Sequence, residues 1–408
     1  MDNNSVLKKY SELVLRKGVN LQVGQGLEIS CPVERADLAR AMTEVAYSLG
    51  AKIVRIRYND EAIDKLSYEN AETSVLERVP KWLINMREEL IKENFCYVAL
   101  SSEDPTLFNN VNAEKLKRVA VARSKALKRY SDAIMNNEIR WCVVSLPTKA
   151  WAEKVFPGKE NCVELLDKAI LYTMRLDLQD PISAWEKHVN NLNSRAKFLT
   201  NSNFKYLHFK SQNGTDLKVG LAKNHVWLSA EEKAKDGISF IANMPTEEVF
   251  TAPDRNFVEG VVKSAKPLSF NGQLIDNFSI TFKKGKVVSF TAEKGFLALK
   301  NLIETDKGTS RLGEVALIDS SSPIGRSGIM FFNTLFDENA SCHLALGKCY
   351  PTTILGGESL SKKELKELGA NDSIEHVDFM IGSPDICVSG YTENGKEVKL
   401  IVNGDWVI

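Results

Sequence analysis

The residues best equipped for chemistry fall in four short segments of the second half of the chain. There are five histidines, His188, His208, His225, His343 and His376, and the last two stand among acids in apolar surroundings. His376-Val377-Asp378 runs straight into Phe379-Met380-Ile381-Gly382. On a strand, residues i and i+2 share a face, so His376 and Asp378 project together from a mostly buried strand. Burying an ionised carboxylate costs several kcal/mol unless something positive compensates it. A divalent metal does so, and imidazole supplies a nitrogen donor typical of zinc sites. Taken alone, His-x-Asp fits a hydrogen-bonded core pair as well as a metal site.

The second segment is FDENASCHLALGKCY (336–350), where Glu338 and His343 sit in a small-residue loop able to fold around an ion. A helix-capping loop with solvated acids is the competing reading. A structural zinc on Cys342, His343 and Cys349 has the wrong spacing and no CxxC partner. The third segment, NMPTEEVFTAP (243–253), holds paired acids between two prolines in an extended loop. Adjacent residues of extended backbone face opposite ways, so one of Glu247 and Glu248 points inward. Their types do not say which. The fourth, LGEVALID (312–319), places Glu314 at the head of a buried strand, where either a metal or an arginine can satisfy it.

The elements that must position these residues follow two grammars. Up to about residue 200, apolar strands at Leu27–Cys31, Lys52–Tyr58, Cys96–Leu100 and Trp141–Leu146 alternate with helical stretches, including one over 113–136. That pattern predicts βαβ units and a mainly parallel sheet. From about 201 the pattern turns to hairpins. Asn213-Gly214 separates Tyr206–Ser211 from Leu217–Val219, Lys283-Lys284-Gly285 separates two further runs, and Asn394-Gly395 leads into Val398-x-Leu400-x-Val402. The expected architecture is an α/β N-terminal domain, 1–200, with a mainly parallel sheet, followed by an α+β C-terminal domain, 201–408, rich in antiparallel sheet. The polar stretch 195–205 reads as the linker. Gly24-x-Gly26 precedes a strand instead of opening a helix, so it reads as a tight turn and not a dinucleotide cradle.

Composition narrows the function. Lys+Arg and Asp+Glu are both 53, so no global field draws the chain to nucleic acid or an acidic membrane. The first residues show no apolar secretory core and no run approaches a membrane span. The expectation is a cytoplasmic protein whose seven scattered cysteines stay reduced as small apolar residues.

The four segments together, in this order and spacing, resemble the thermophilic aminopeptidase family of two-metal metallopeptidases, the aminopeptidase T/S type. The resemblance covers essentially the whole chain. It implies Glu248, Glu314, Glu338, His343, His376 and Asp378 as ligands of two divalent ions (zinc, cobalt or manganese), Tyr350 as a catalytic residue, and a homodimer. The activity it implies is release of N-terminal residues from peptides with a free N-terminus. Hydroxide held between two metals about 3.5–4 Å apart attacks the carbonyl, Glu314 bridges the ions, and Tyr350 stabilises the oxyanion. Glu247 or a ligand carboxylate shuttles the proton. The alternatives are a two-metal hydrolase of another amide or ester bond, and a non-catalytic interaction protein with a vestigial site. No resemblance points to nucleic acid or membrane partners.

Overall fold

The computed structural model describes residues 3–108, 110–270 and 273–408. The chain forms two compact units: Met1–Lys187 with Glu231–Pro245, and His188–Ala230 with Thr246–Ile408. The first unit is built on four parallel strands, Gly26–Pro32, Ile53–Asn59, Cys96–Leu100 and Trp141–Val144. They are ordered second, first, third, fourth across the sheet. Helices such as Ala36–Ser48 and Lys81–Lys92 form the crossovers, as parallel pairing requires. The first strand is buried along its whole length and carries Glu28. That carboxylate is matched by protein cations, Arg87 at 2.8 Å and Arg57 at 3.5 Å.

Two expectations change. The helix predicted over 113–136 is two, Ala113–Ala126 and Lys128–Met135, which meet at Leu127. The stretch 195–202 is not a linker but the end of a 22-residue helix, Pro181–Ser202. Its stripe of Trp185, Val189, Leu192, Ala196 and Leu199 is buried, at the spacing of one helical face. Polar residues on the other face hide that stripe in the sequence. The hairpin Glu231–Lys233/Ser239–Ile241, past the expected boundary at 200, belongs to the first unit.

The second unit holds a nine-stranded sheet and a four-stranded sheet, with every pairing antiparallel. The hairpin at Asn213-Gly214 forms between Tyr206–Lys210 and Asp216–Leu221. Gln273–Lys283 and Lys286–Lys294 form the next. The four-stranded sheet runs His376–Met380, His343–Gly347, Leu312–Leu317, Val249–Thr251. Each of the four chemically suggestive segments thus contributes one strand, and that of the third begins right after Glu248.

The register of this sheet is broken once. Leu312 faces Leu346 while Glu314 faces Ala345, so Gly313 is the extra residue of a β-bulge. A bulge re-aims the side chains that follow it, here Glu314. Gly313 is also where backbones meet: an added Cβ would lie 2.3 Å from the Lys348 carbonyl oxygen and 2.4 Å from that of Gly347. Gly313→Ala must push these strands apart, at a cost of about 1–3 kcal/mol. A lowered urea midpoint is the expected result; a midpoint equal to that of the parent chain would contradict the close approach.

Candidate metal centre

The strand pairing assembles the site from residues far apart in sequence. Asp378 and Glu314 both lie directly opposite Ala345, from the strands on its two sides. Directly paired residues share a face of the sheet. Two residues along, His376 faces Gly347. His343 occupies the same face of the middle strand as Ala345 and Gly347, by the strand's two-residue period. The small residues form a floor, and the chemically active side chains from three strands lean over it.

The donor atoms converge in two groups. Glu248, Glu314 and His343 form one, and Glu314, His376 and Asp378 the other; the ligand atoms within each lie within 4.8 Å of one another. Glu314 is common to both. Glu338, on the single turn Glu338–Ala340, stands close enough that the charges of Asp378, Glu248 and Glu314 act on it. The sequence reading placed His343 in a loop with Glu338; it is the first residue of a strand. Tyr350 packs its ring 4.9 Å from that of His376 and 6.3 Å from Phe250, by centroids.

Of the paired acids, Glu248 enters the cluster. Glu247 is buried elsewhere, with one carboxylate oxygen 3.5 Å from His188 Nε2. His208 bonds Asp216 and His225 bonds the Ala222 carbonyl, so neither joins the site. Cys342 and Cys349 are in neither donor group. The Cys342 sulfur bonds the Ile318 carbonyl, and burial pushes its thiol up to about 11, which removes it as a nucleophile at neutral pH.

The chemistry of the donor set fits a divalent cation. His343 Nδ1 lies 2.9 Å from the Glu338 carbonyl, and His376 Nδ1 lies 2.7 Å from the Lys348 carbonyl. A carbonyl only accepts, so each Nδ1 carries a proton, and in the neutral form, the one able to ligate a metal, each ring turns an Nε2 lone pair inward. His343 Nε2 then faces Glu248 Oε2 at 3.2 Å, Glu314 Oε1 at 3.3 Å and Asp378 Oδ1 at 3.8 Å. His376 Nε2 lies 3.4 Å from Asp378 Oδ1 and 3.9 Å from Glu314 Oε2. Lone pairs converge on lone pairs. Glu248 Oε2 and Asp378 Oδ1 are buried without an aligned hydrogen bond. Among the described residues no Lys or Arg lies within ion-pair distance of the four acids, in contrast to Glu28.

In the metal-free chain protons must compensate this charge. Burial raises the carboxyls of Glu314 and Glu338, and for Glu338 the neighbouring acids add to it. Burial opposes protonation of both imidazoles, but the carboxylates outweigh it. They hold His343 well above its usual value and carry His376 up to about 10. Asp378 is held down, because His376 and His343 outweigh its burial. Sequence reasoning missed what supports these groups: the Ala345–Gly347 floor, the two carbonyls that orient the imidazoles, and Asn339. Asn339 is fully buried and accepts a hydrogen bond from the Glu247 N–H at 2.8 Å. A lone asparagine among small residues between Glu338 and His343 was the only available signal.

Residues 3–406 match the family described as thermophilic metalloprotease (M29). The chain is 42% identical to Aminopeptidase 2 of Geobacillus stearothermophilus over 402 residues, 98% of this chain and 97% of that protein. It is 43% identical to Aminopeptidase PepS of Streptococcus thermophilus over 405 residues, 98% of each. The solved structure of wild-type AmpT from Thermus thermophilus superposes with a TM-score of 0.93 at 38% identity, covering 99% of each chain. No helix of the described residues is long and apolar enough to cross a membrane.

The carboxylates raise both imidazoles of the metal-free site, so each should hold a second proton at neutral pH that a metal must displace. Metal uptake on both imidazoles should therefore release about two protons, and apparent affinity should rise with pH up to the imidazole pKa, by up to ~10-fold per unit for each imidazole engaged. Calorimetric zinc titrations in buffers of different ionisation enthalpy measure the number. Heats independent of buffer would contradict the protonated apo cluster.

Proposed function

The chain belongs to the thermophilic metalloprotease family, M29, which makes it a metallo-hydrolase of the aminopeptidase kind its relatives carry in their names, and we propose that it removes N-terminal residues from peptides by a two-metal reaction. The observation that supports two ions is the sharing of Glu314 between two donor groups, each with its own imidazole turned inward by a backbone carbonyl. Glu248, Glu314 and His343 would hold one ion and Glu314, His376 and Asp378 the other, with Glu338 completing the set. Four carboxylates balance two dications, and the nitrogen donors suit zinc, cobalt or manganese. When bound, such ions acidify a water and polarise the scissile carbonyl.

The chain's own residues supply the rest. Burial and then the surrounding carboxylates raise the Tyr350 hydroxyl, so it stays protonated at neutral pH. It acts as a hydrogen-bond donor to the oxyanion that develops at the attacked carbonyl. Glu247 is turned to His188, which leaves the proton transfer to a carboxylate of the cluster. A free substrate α-amine is both a donor and a charge partner for this acid-rich site; an acylated one is neither. The reading includes a cytoplasmic homodimer acting on free-amine peptides. No described Lys or Arg pairs with the cluster, so nothing in the site favours a phosphate ester.

Incubating one peptide in free and N-acetylated form, and following products by mass, tests the proposal. The free form should shorten stepwise from its N-terminus. The acetylated form should react about 30–1,000-fold more slowly, because a charge-assisted, desolvated contact is lost. Chelation should abolish both rates and divalent metal restore them. Internal fragments appearing first, or equal rates for the two forms, would refute an aminopeptidase.

Tyr350→Phe should lower kcat by about 100-fold or more and leave KM and bound metal near the parent values. A variant of unchanged kcat would remove Tyr350 from the reaction.

A further inference from the structure

Four of the six cluster residues, Glu314, His343, His376 and Asp378, lie on strands of the four-stranded sheet, and Glu248 stands just outside one. Glu338 has only a single turn beneath it, and Glu248 sits at the end of the loop after Pro245. The strand ladder does not set the spacing of these two acids. The side chain of Asn339 joins their segments. Asn339 follows Glu338 directly, is fully buried, and accepts from the Glu247 N–H at 2.8 Å across 92 residues of sequence. Its Nδ2 donates to the Leu335 carbonyl at 3.1 Å, back along its own turn. Both ends of the amide are thereby committed. A flipped amide would set oxygen against a carbonyl and NH2 against an N–H, so one orientation is locked. From the other side the same loop is held by His188, whose Nε2 lies 2.8 Å from the Thr246 carbonyl.

We propose that Asn339 is a positioning residue that fixes the spacing between Glu248 and Glu338 and thereby sets the metal affinity of the cluster; this rests on the metal-site reading above. Both of its side-chain hydrogen bonds go to backbone groups, the Glu247 N–H and the Leu335 carbonyl. Its carboxamide anchors the backbone one residue before Glu248, while its own backbone carries Glu338. Without it the two acids are free to follow their mutual repulsion, and the donor set opens. Groups that orient metal ligands from behind typically contribute 10–100-fold in affinity.

The test uses the full chain freed of metal by chelation, as the parent, Asn339→Ala and Asn339→Asp. Each is titrated with zinc against a chromophoric chelator and with cobalt by absorption spectroscopy, and melted without metal. The parent should take up two ions. Asn339→Ala should bind at least one of them about 10–100-fold more weakly, with an altered cobalt spectrum. Asn339→Asp, which as a fully buried acid beside other acids takes up a proton, keeps an acceptor for the Glu247 N–H and a donor for the Leu335 carbonyl, and should stay within a few-fold of the parent. Should Asn339→Ala fail to fold, Asn339→Ser, too short to span to Glu247, carries the same expectation. Parent-like affinities and spectrum in the truncated variant, even with a lower melting temperature, would overturn the proposal and leave a packing role. So would an Asn339→Asp as weak as the truncation. A parent chain that binds no divalent ion would instead refute the metal-site reading itself.

Discussion

Four carboxylates and two imidazoles share one buried patch without a single lysine or arginine among the described residues to neutralise them, and the second unit is arranged around that imbalance. Moving an ionised carboxylate out of water costs several kcal/mol after relaxation, against a net stability of about 5–15 kcal/mol for a whole domain. The chain has another way to bury an acid and uses it at Glu28, with Arg87 2.8 Å away. The absence of that solution at Glu314, Glu248, Glu338 and Asp378 is therefore informative. Such a cluster folds either with protons on its imidazoles and acids or with cations from outside. Folding, protonation and metal content are one linked equilibrium here.

Holding mutually repelling groups at fixed separations is a geometric problem, and the sheet solves most of it. Strands bring His376, Asp378, His343 and Glu314 to one face, and rigid elements position ligands better than loops do. The middle strand offers the small Ala345 directly between Glu314 and Asp378, where a larger side chain would crowd them. The bulge at Gly313 turns Glu314 to where both donor groups can share it. A perfectly regular, well-filled sheet would be more stable locally and would hold no ion, which is the usual tension between packing and function.

How much of this the sequence disclosed depends on whether the signal was local. His376-x-Asp378 on a strand, Glu314 in a buried run and the turn at Asn213-Gly214 are properties of neighbouring residues, and they read correctly. The parallel first sheet was legible for the same reason. Pairing between distant strands leaves no local trace. Nothing near Glu314 says that Ala345 and then Asp378 will lie beside it, and the resemblance of four segments to a known family had to supply the convergence. The choice between Glu247 and Glu248 was closed to pattern reading because both side chains turn inward, the buried Glu247 toward His188 and the half-buried Glu248 toward the cluster. The helix through 195–202 was hidden by its polar outer face, although its apolar stripe is regular. His343 was misplaced in a loop because the small residues before it look like a turn, which they are, up to the residue where the strand begins.

The supporting contacts have a closed form. The carbonyl that orients His343 belongs to Glu338, whose own side chain joins the cluster. The carbonyl that orients His376 belongs to Lys348, two residues before Tyr350, and lies where Gly313 leaves room for it beside Glu314. Backbone that carries one functional side chain thus aims another. In such an arrangement a displaced donor cannot relax alone: moving Glu338 turns His343, and moving Lys348 turns His376 and shifts the approach to Tyr350. Groups coupled in this way lose additivity, so the two donor groups behave as one unit although each has its own imidazole. The two groups meet at Glu314, which the bulge at Gly313 aims at both.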